Sequence, residues 1–188
     1  MGGFYSNYTL KHVSTQAIAA VLAGRSAVVG PAQDGCAVVF DQQSDGQDQE
    51  VMASLAADLS HQLSCPVLAL LNHDDDILWY QLYLDGKLVD EYDSSPGYFD
   101  PAAEPSPPSG GDAKKLCAAF GATDVQAVEA ILRKSSYDDD GYVFAAERHA
   151  ALARALRIPS LAVGNAFASF DEGKTPEGLA PGEILRTV

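Results

Sequence analysis

DDDILWYQLYLDGKLVDEYD, residues 74–93, carries the alternating pattern of a long antiparallel β-hairpin. Successive side chains of a strand point to opposite faces, and large apolar or aromatic side chains occupy both faces from residue 77 to residue 84. Asp85-Gly86 then supplies the two residues that tolerate positive φ in a type I′ turn. The stretch therefore predicts a β-hairpin that follows a turn of three aspartates.

The segments before the hairpin alternate between strand and helix patterns. Residues 5–41 and 36–93 share the order strand, helix, strand, turn, strand. Apolar residues recur at helical spacing between Gln49 and Ser64, which predicts a helix that lies on a sheet. The pattern predicts an α+β fold with a mixed or mainly antiparallel sheet, built from two β-α-β-β-like units with helices on one face.

A change in composition divides the chain after the hairpin. Residues 101–111, PAAEPSPPSGG, form a Pro/Ser/Gly-rich stretch that predicts a linker or loop. It separates an acidic α+β sheet domain, residues 1–100, from a C-terminal part, residues 112–188. That part is expected to be mostly helical, to return a strand to the sheet at residues 161–170, and to pack on the first domain.

Charge is the clearest unusual property of the composition. The net charge is −14, and residues 1–100 contribute −11 of it, with 3 Lys or Arg against 14 Asp or Glu. A surface of this sign disfavours nucleic acid and anionic lipid, because binding to either depends on Lys and Arg. It favours a protein partner with a basic surface, or a divalent cation.

The remaining composition is that of a globular protein. Hydrophobic residues make up 47% of the 188 residues, and no apolar run approaches the roughly 18 residues expected of a membrane span. The three cysteines are widely spaced and form no Cys-x-x-Cys pair, and no secretory signal pattern is visible. These features predict a cytoplasmic protein without disulfides.

The leading hypothesis is a non-enzymatic module that binds a basic protein through the hairpin. In a regular two-residue-turn register Leu78 faces Asp93 and Trp79 faces Tyr92, so aromatic rings are expected to form a contact area with an acidic rim. One version is an immunity or antitoxin-type inhibitor, and a homo-oligomer formed through the hairpin edge is a further option. The candidate partner-binding residues are Asp74, Asp75, Asp76, Trp79, Tyr83, Asp90, Tyr92 and Tyr98.

The alternative hypothesis is a divalent-metal-dependent hydrolase. Crowded carboxylates repel one another unless a cation neutralises them, and hard oxygen ligands suit Ca²⁺, Mg²⁺ or Mn²⁺. The spacing matches no EF-hand, and a second aspartate run at residues 138–140 follows in the C-terminal part. In this alternative the candidate ligands are His73, Asp74, Asp76 and Asp93, whereas the leading hypothesis needs no cofactor.

Overall fold

A computed structural model describes residues 3–104, 106–135, 140–173, 175–176 and 179–188. Eight strands lie within these ranges: β1 (Tyr5–Lys11), β2 (Ala27–Val29), β3 (Cys36–Asp41), β4 (Val67–His73), β5 (Ile77–Leu84), β6 (Lys87–Asp93), β7 (Ser109–Gly110) and β8 (Leu185–Thr187). The α-helices described are α1 (Thr15–Val21), α2 (Gln49–Leu63), α3 (Ala113–Phe120), α4 (Val125–Arg133) and α5 (Ala145–Leu156).

The strands form one antiparallel sheet in the order β7-β6-β5-β4-β1-β3-β2-β8. The longest strands occupy its middle, and both edges are short, with two residues in β7 and three in β8. The predicted α+β class and the mainly antiparallel sheet are confirmed. The hairpin of β5 and β6 therefore lies near one edge, next to the central strand β4.

Both faces of the sheet carry helices. α1 and α2 pack on one face with side chains such as Tyr8, Val39 and Trp79. α3, α4 and α5 pack on the other face with side chains such as Val38 and Tyr80. Because helices cover both faces, β1 and β3 are buried along their whole lengths, and β3 is accordingly apolar from Cys36 to Phe40.

The pairing of β5 with β6 is shifted by one residue from the register expected of a regular hairpin with a two-residue turn. Trp79 pairs with Asp93 and Tyr80 pairs with Tyr92, whereas we expected Trp79 to face Tyr92. The cause is an irregularity in the ladder, since Leu82 pairs with Asp90 and Tyr83 pairs with Leu88, two positions earlier in β6. A bulge of this kind places an extra residue in one strand and shifts every pair beyond it.

The predicted strand at residues 161–170 is wrong. That segment forms short 3₁₀ helices at Ser160–Ala162 and Phe167–Gly173, with a positive φ of 79° at Gly164 between them. The buried Asn7 side chain donates hydrogen bonds to the carbonyl oxygens of Ala162 and Asn165, which satisfies backbone groups that a sheet would otherwise pair. The strand that does return to the sheet is β8, which pairs with β2.

Most helices begin at a side chain that caps their free amides. Ser14, Asp48, Asp112 and Asp124 each accept hydrogen bonds from backbone N–H groups in the first turn of α1 to α4. The helix α5 differs, because its N-cap residue is Phe144, which offers no side-chain acceptor. Its first amides find their acceptor elsewhere in the fold.

Candidate functional site

The aspartate turn joins β4 to β5 and is tight. Asp74 and Asp75 adopt positive φ values of 51° and 66°, and the N–H of Asp76 donates to the carbonyl of His73 at 3.0 Å. Two successive positive φ values are typical of a type I′ hairpin turn. Asp74 and Asp76 are exposed, whereas Asp75 is half-buried, so the three aspartates have different surroundings.

Asp75 is a structural residue that holds the turn in place. One of its carboxylate oxygens accepts hydrogen bonds from Asn72 Nδ2 at 2.9 Å and from the N–H of Ala146 at 3.0 Å, and its own N–H donates to the carbonyl of Gly3 at 2.9 Å. Partial burial raises the pKa of the Asp75 carboxyl, but the hydrogen bonds it accepts outweigh the burial and the net shift is downward. The carboxylate thus belongs to the scaffold.

His73 lies at the centre of a group of aromatic rings beside this turn. Its ring centroid is 5.2 Å from that of Phe4, 6.2 Å from that of Tyr98 and 5.0 Å from that of Phe99. His73 Nδ1 is 2.8 Å from Oε1 of Gln47, which fixes the orientation of the imidazole. We call Phe4, His73, Tyr98 and Phe99 the aromatic patch.

The rings around His73 are open to solvent. Phe4 is 47% exposed, Tyr98 43% and Phe99 69%. The other exposed aromatic ring among the described residues is Phe144, which precedes Ala145, and the N–H of Ala145 donates to the carbonyl of Asp75. All four exposed Phe and Tyr residues of the described chain therefore lie around the aspartate turn.

The exposed turn residues Asp74 and Asp76, which we call the acidic rim, contact the aromatic patch directly. The hydroxyl of Tyr98 donates a hydrogen bond of 2.8 Å to Oδ2 of Asp76, and this bond raises the pKa of the phenol. Asp74 lies 3.8 Å from Nε2 of His73. The patch thus combines apolar area with negative charge.

A cleft of about 350 Å³ opens beside the aromatic patch, and we call it the Trp79 cleft. Trp79, which is 7% exposed, and its cross-strand partner Asp93 both line this cleft. Burial raises the pKa of the Asp93 carboxyl, which accepts a hydrogen bond of 2.8 Å from the N–H of Ser95. The residues that line the cleft are Gln49, Leu71, Ile77, Trp79, Asp93, Ser95, Gly97, Tyr98, Phe99 and Asp100.

A second cleft of about 250 Å³ adjoins the first and shares Trp79 and Asp93 with it. Glu91 adds a further carboxylate to its lining. Among the described residues that line the two clefts, none is Lys or Arg, and none of the carboxylates of Glu91, Asp93 and Asp100 has a described ion-pair partner. This end of the sheet therefore presents uncompensated negative charge beside aromatic walls.

Three predicted contact rings do not form an exposed patch. Trp79 is 7% exposed, Tyr83 6% and Tyr92 1%, because the sheet is covered on both faces. The hydroxyl of Tyr83 donates to Oε1 of Gln81. Tyr92 stacks on Tyr80 and donates to the carbonyl of Leu132. Of the rings that were expected at the surface, Tyr98 alone is exposed, and Trp79 contributes as a cleft wall.

Asp90 also lies away from the aromatic patch. Its Oδ2 accepts hydrogen bonds from the hydroxyl of Tyr80 at 2.8 Å and from the N–H of Asp112 at 2.9 Å. Tyr80 belongs to the core beneath α3, α4 and α5, so Asp90 faces the opposite side of the sheet from Trp79. Its hydrogen bonds join β6 to the start of α3, which is a structural function.

The four predicted metal ligands are not brought together as a metal site. The described residues contain no group of three or more His, Cys, Asp or Glu side chains arranged to hold a metal ion. Asp76 in the turn accepts a hydrogen bond from Tyr98, whereas Asp93 in β6 is the cross-strand partner of Trp79 in β5. In the second aspartate run, residues 138 and 139 lie outside the described residues, and Asp140 is 2.9 Å from Nζ of Lys134.

The largest cleft described lies elsewhere, between α3 and α4, and has a volume of about 760 Å³. Arg133 lines this cleft, and its guanidinium group donates hydrogen bonds to Glu129 and to the carbonyl oxygens of Gly110 and Gly111. The bond from Arg133 to Gly110 joins α4 to β7. Volume alone therefore does not identify the candidate site.

Sequence reasoning missed several residues of this surface. Phe4, Gln47 and Gln49 carry no motif, and only the tertiary fold brings them to the aspartate turn. The aromatic pair Tyr98 and Phe99, just before a Pro-rich stretch, was the one available signal. A pair of large rings next to a linker often has a partner outside its own segment.

No helix among the described residues combines the length and apolar character needed to cross a bilayer. Comparison of the chain with protein-family models, with curated proteins and with solved structures finds no match.

Proposed function

We propose that this chain is a non-enzymatic binding module for a protein with a basic surface, and that the aromatic patch and its acidic rim form the contact. The observation that carries the proposal is the grouping of all four exposed Phe and Tyr residues of the described chain around the turn that presents Asp74 and Asp76. Aromatic side chains are enriched at the centres of interfaces, where their burial supplies most of the binding energy.

Charge supports the same conclusion. The chain carries a net charge of −14, and most of it lies in residues 1–100, which include the patch. A negative field of this size accelerates encounter with a basic partner and disfavours acidic ones. Specific affinity would then come from the rings, which lose water when the partner covers them.

The more detailed form of the proposal assigns separate tasks to the parts of the chain. Residues 1–100 act as the acidic sheet domain that carries the contact surface, residues 101–111 act as the connecting loop, and residues 112–188 support the sheet from behind. Within this form, an inhibitor of the immunity or antitoxin type would cover a basic cleft on its target.

The test compares two matched triple variants in a pull-down from the native cell extract. The patch variant carries Asp74→Asn, Asp76→Asn and Phe99→Ala. The control variant carries Asp34→Asn, Asp85→Asn and Leu88→Ala, which remove the same charge and a similar exposed apolar side chain at other turns. We expect a basic partner to be retained by the wild type and the control variant and lost by the patch variant. Equal recovery by all three proteins would contradict the proposal.

A further inference from the structure

We infer that the Trp79 cleft binds an arginine side chain of a peptide segment in the partner, with Asp93 as the counter-ion of the guanidinium. This inference rests on the proposed function and deepens it, because it names the chemical group that enters the surface. Three features of the cleft carry it: its carboxylates, its aromatic walls and an indole N–H without an acceptor.

The carboxylates of the cleft favour a cation. Asp93 is half-buried, accepts one hydrogen bond from the N–H of Ser95, and has no described ion-pair partner. Asp100 lines the same cleft and uses Oδ1 to accept from the N–H of Ala102. A partly desolvated carboxylate is costly until a cation or further donors compensate it. The cleft lining thus includes carboxylate lone pairs that no described group uses.

The walls favour a flat cation. Trp79, Tyr98 and Phe99 line the same cleft as Asp93. An arginine guanidinium is planar, stacks on aromatic faces and donates in a fork that matches a carboxylate, whereas an ammonium is a compact and strongly hydrated point charge. The combination of ring walls and carboxylates therefore selects arginine over lysine.

The indole of Trp79 offers a donor to a peptide that carries the cation. Trp79 lines the cleft and is more than nine-tenths buried, and no described group accepts a hydrogen bond from its Nε1. Nε1 keeps some contact with solvent, because the one fully buried side-chain N or O atom without a hydrogen bond among the described residues is Nη2 of Arg148. Guanidinium groups cannot accept a hydrogen bond, whereas the carbonyl of an arginine-bearing peptide can.

The experiment uses the tryptophan itself as the reporter, since the chain contains one Trp. Its fluorescence is followed while the full chain is titrated with acetyl-Gly-Arg-Gly-amide, with the lysine analogue, and with the citrulline analogue, which keeps the shape but lacks the charge. We expect a saturable change with the arginine peptide, at least about tenfold weaker binding of lysine, and no binding of citrulline. Equal responses to arginine and citrulline would overturn the inference.

Variants separate the cleft from general charge. Asp93→Asn keeps the acceptor for Ser95 and removes the charge, so we expect at least a tenfold loss of affinity for the arginine peptide. Asp100→Asn, in an exposed turn, is a second variant that tests the cleft if Asp93→Asn does not fold, and we expect a severalfold loss. Asp85→Asn, at the opposite end of the hairpin, should bind as the wild type does. Unchanged binding by both cleft variants would refute the inference.

The two proposals fail in different ways. If the patch variant loses its partner in the pull-down but the arginine peptide does not bind the wild type, the arginine inference is wrong and the proposed function stands. If the peptide binds through Asp93 but the patch variant keeps the partner, the cleft is supported and the aromatic patch is not the contact surface.

Discussion

The N–H of Ala146 in the first turn of α5 donates a 3.0 Å hydrogen bond to the Asp75 carboxylate of the β4–β5 turn, 71 residues away in sequence. The N–H of Ala145 also donates to the carbonyl of Asp75, at 2.7 Å. A turn on the sheet thus caps a helix that lacks a capping side chain of its own. The position of the candidate binding surface is therefore fixed by the helical layer on the opposite face.

Replacement of Asp75 by alanine should destabilise the fold. The change leaves the N–H of Ala146 in α5 and the side-chain amide of Asn72 without their acceptor, whereas the bond from Ala145 to the backbone carbonyl remains, so we expect a loss of about 1–2 kcal/mol in the free energy of unfolding. Asp74→Ala is the matched control, because Asp74 also has positive φ but is exposed, and it should cost less. Urea denaturation followed by circular dichroism measures both. Equal losses would show that strain at positive φ, and not capping, dominates.

Acid should remove the stabilisation that Asp75 provides. Its pKa is lower in the folded protein than its unfolded value of about 3.9, so the stabilisation is fully present above that value. It is lost as the pH falls through the lowered pKa, because the protonated carboxyl is a weaker acceptor. The stability difference between wild type and Asp75→Asn should therefore shrink as the pH falls below about 4 in urea titrations.

Asp93→Asn should stabilise the protein while it weakens binding. Burial raises the pKa of the Asp93 carboxyl above its value in the unfolded chain. The ionised carboxylate therefore lowers the free energy of unfolding, and this cost is complete once the pH exceeds the raised pKa. Removal of the charge should raise the free energy of unfolding at pH 7 by about 0.5 kcal/mol. Thermal melting of the variant provides the measurement, and Asp85→Asn is the control. A lower melting temperature for Asp93→Asn would show that the carboxylate stabilises the fold. It would then contradict the view that Asp93 serves binding at a cost to stability.

Phe99→Ala should affect binding far more than stability. The ring is 69% exposed, so its removal should change the free energy of unfolding by less than about 0.5 kcal/mol. If Phe99 anchors the partner, the same change should weaken binding by about 2 kcal/mol, or roughly 30-fold. Calorimetric titration of the recovered partner measures this effect, with Leu88→Ala as the control. An affinity unchanged by Phe99→Ala would remove this ring from the interface.

His149 should make the fold sensitive to mild acid. Its ring is buried, its Nδ1 lies 2.9 Å from the hydroxyl of Tyr5, and burial lowers its pKa to about 3. The unfolded chain binds a proton near pH 6.5 and the folded chain does not, so stability should fall by about 1.4 kcal/mol per pH unit below that value. Urea denaturation between pH 7 and pH 5 measures the slope. His149→Gln should abolish this part of the slope, and an identical slope in the variant would refute the assignment.

Local signals in the sequence predicted much of the scaffold. The hairpin strands and the helix that begins at Gln49 depend on neighbouring residues, and the structure has all of them. The register of β6 could not be predicted, because a bulge opposite Leu82 and Tyr83 has no local marker there. The helix cap supplied by Asp75 is also non-local, so Asp75 was expected at the surface as a binding residue.

The candidate site was harder to predict than the scaffold. An alternating strand such as β5 shows which side chains share a face, but it does not show which face a later helix will cover. Tyr83 and Tyr92 were therefore expected at a surface, although helices on the two faces bury them. Phe4 reaches the ring of His73 only through the pairing of β1 with β4, which joins distant parts of the chain.

The shortness of β7 and β8 also limits how a partner can attach. A strand edge recruits another chain when it offers a long row of free amides and carbonyls, and these outermost strands have two and three residues. Recognition by β-augmentation, in which a ligand extends the sheet, is therefore disfavoured at β8, whereas β7 pairs with β6 at Tyr92 and Asp93 and leaves the rest of that strand without a described strand partner on its outer side. Association at the turn end of the sheet would instead depend on side chains, so there it should be governed by the partner's sequence more than by its capacity to adopt an extended backbone.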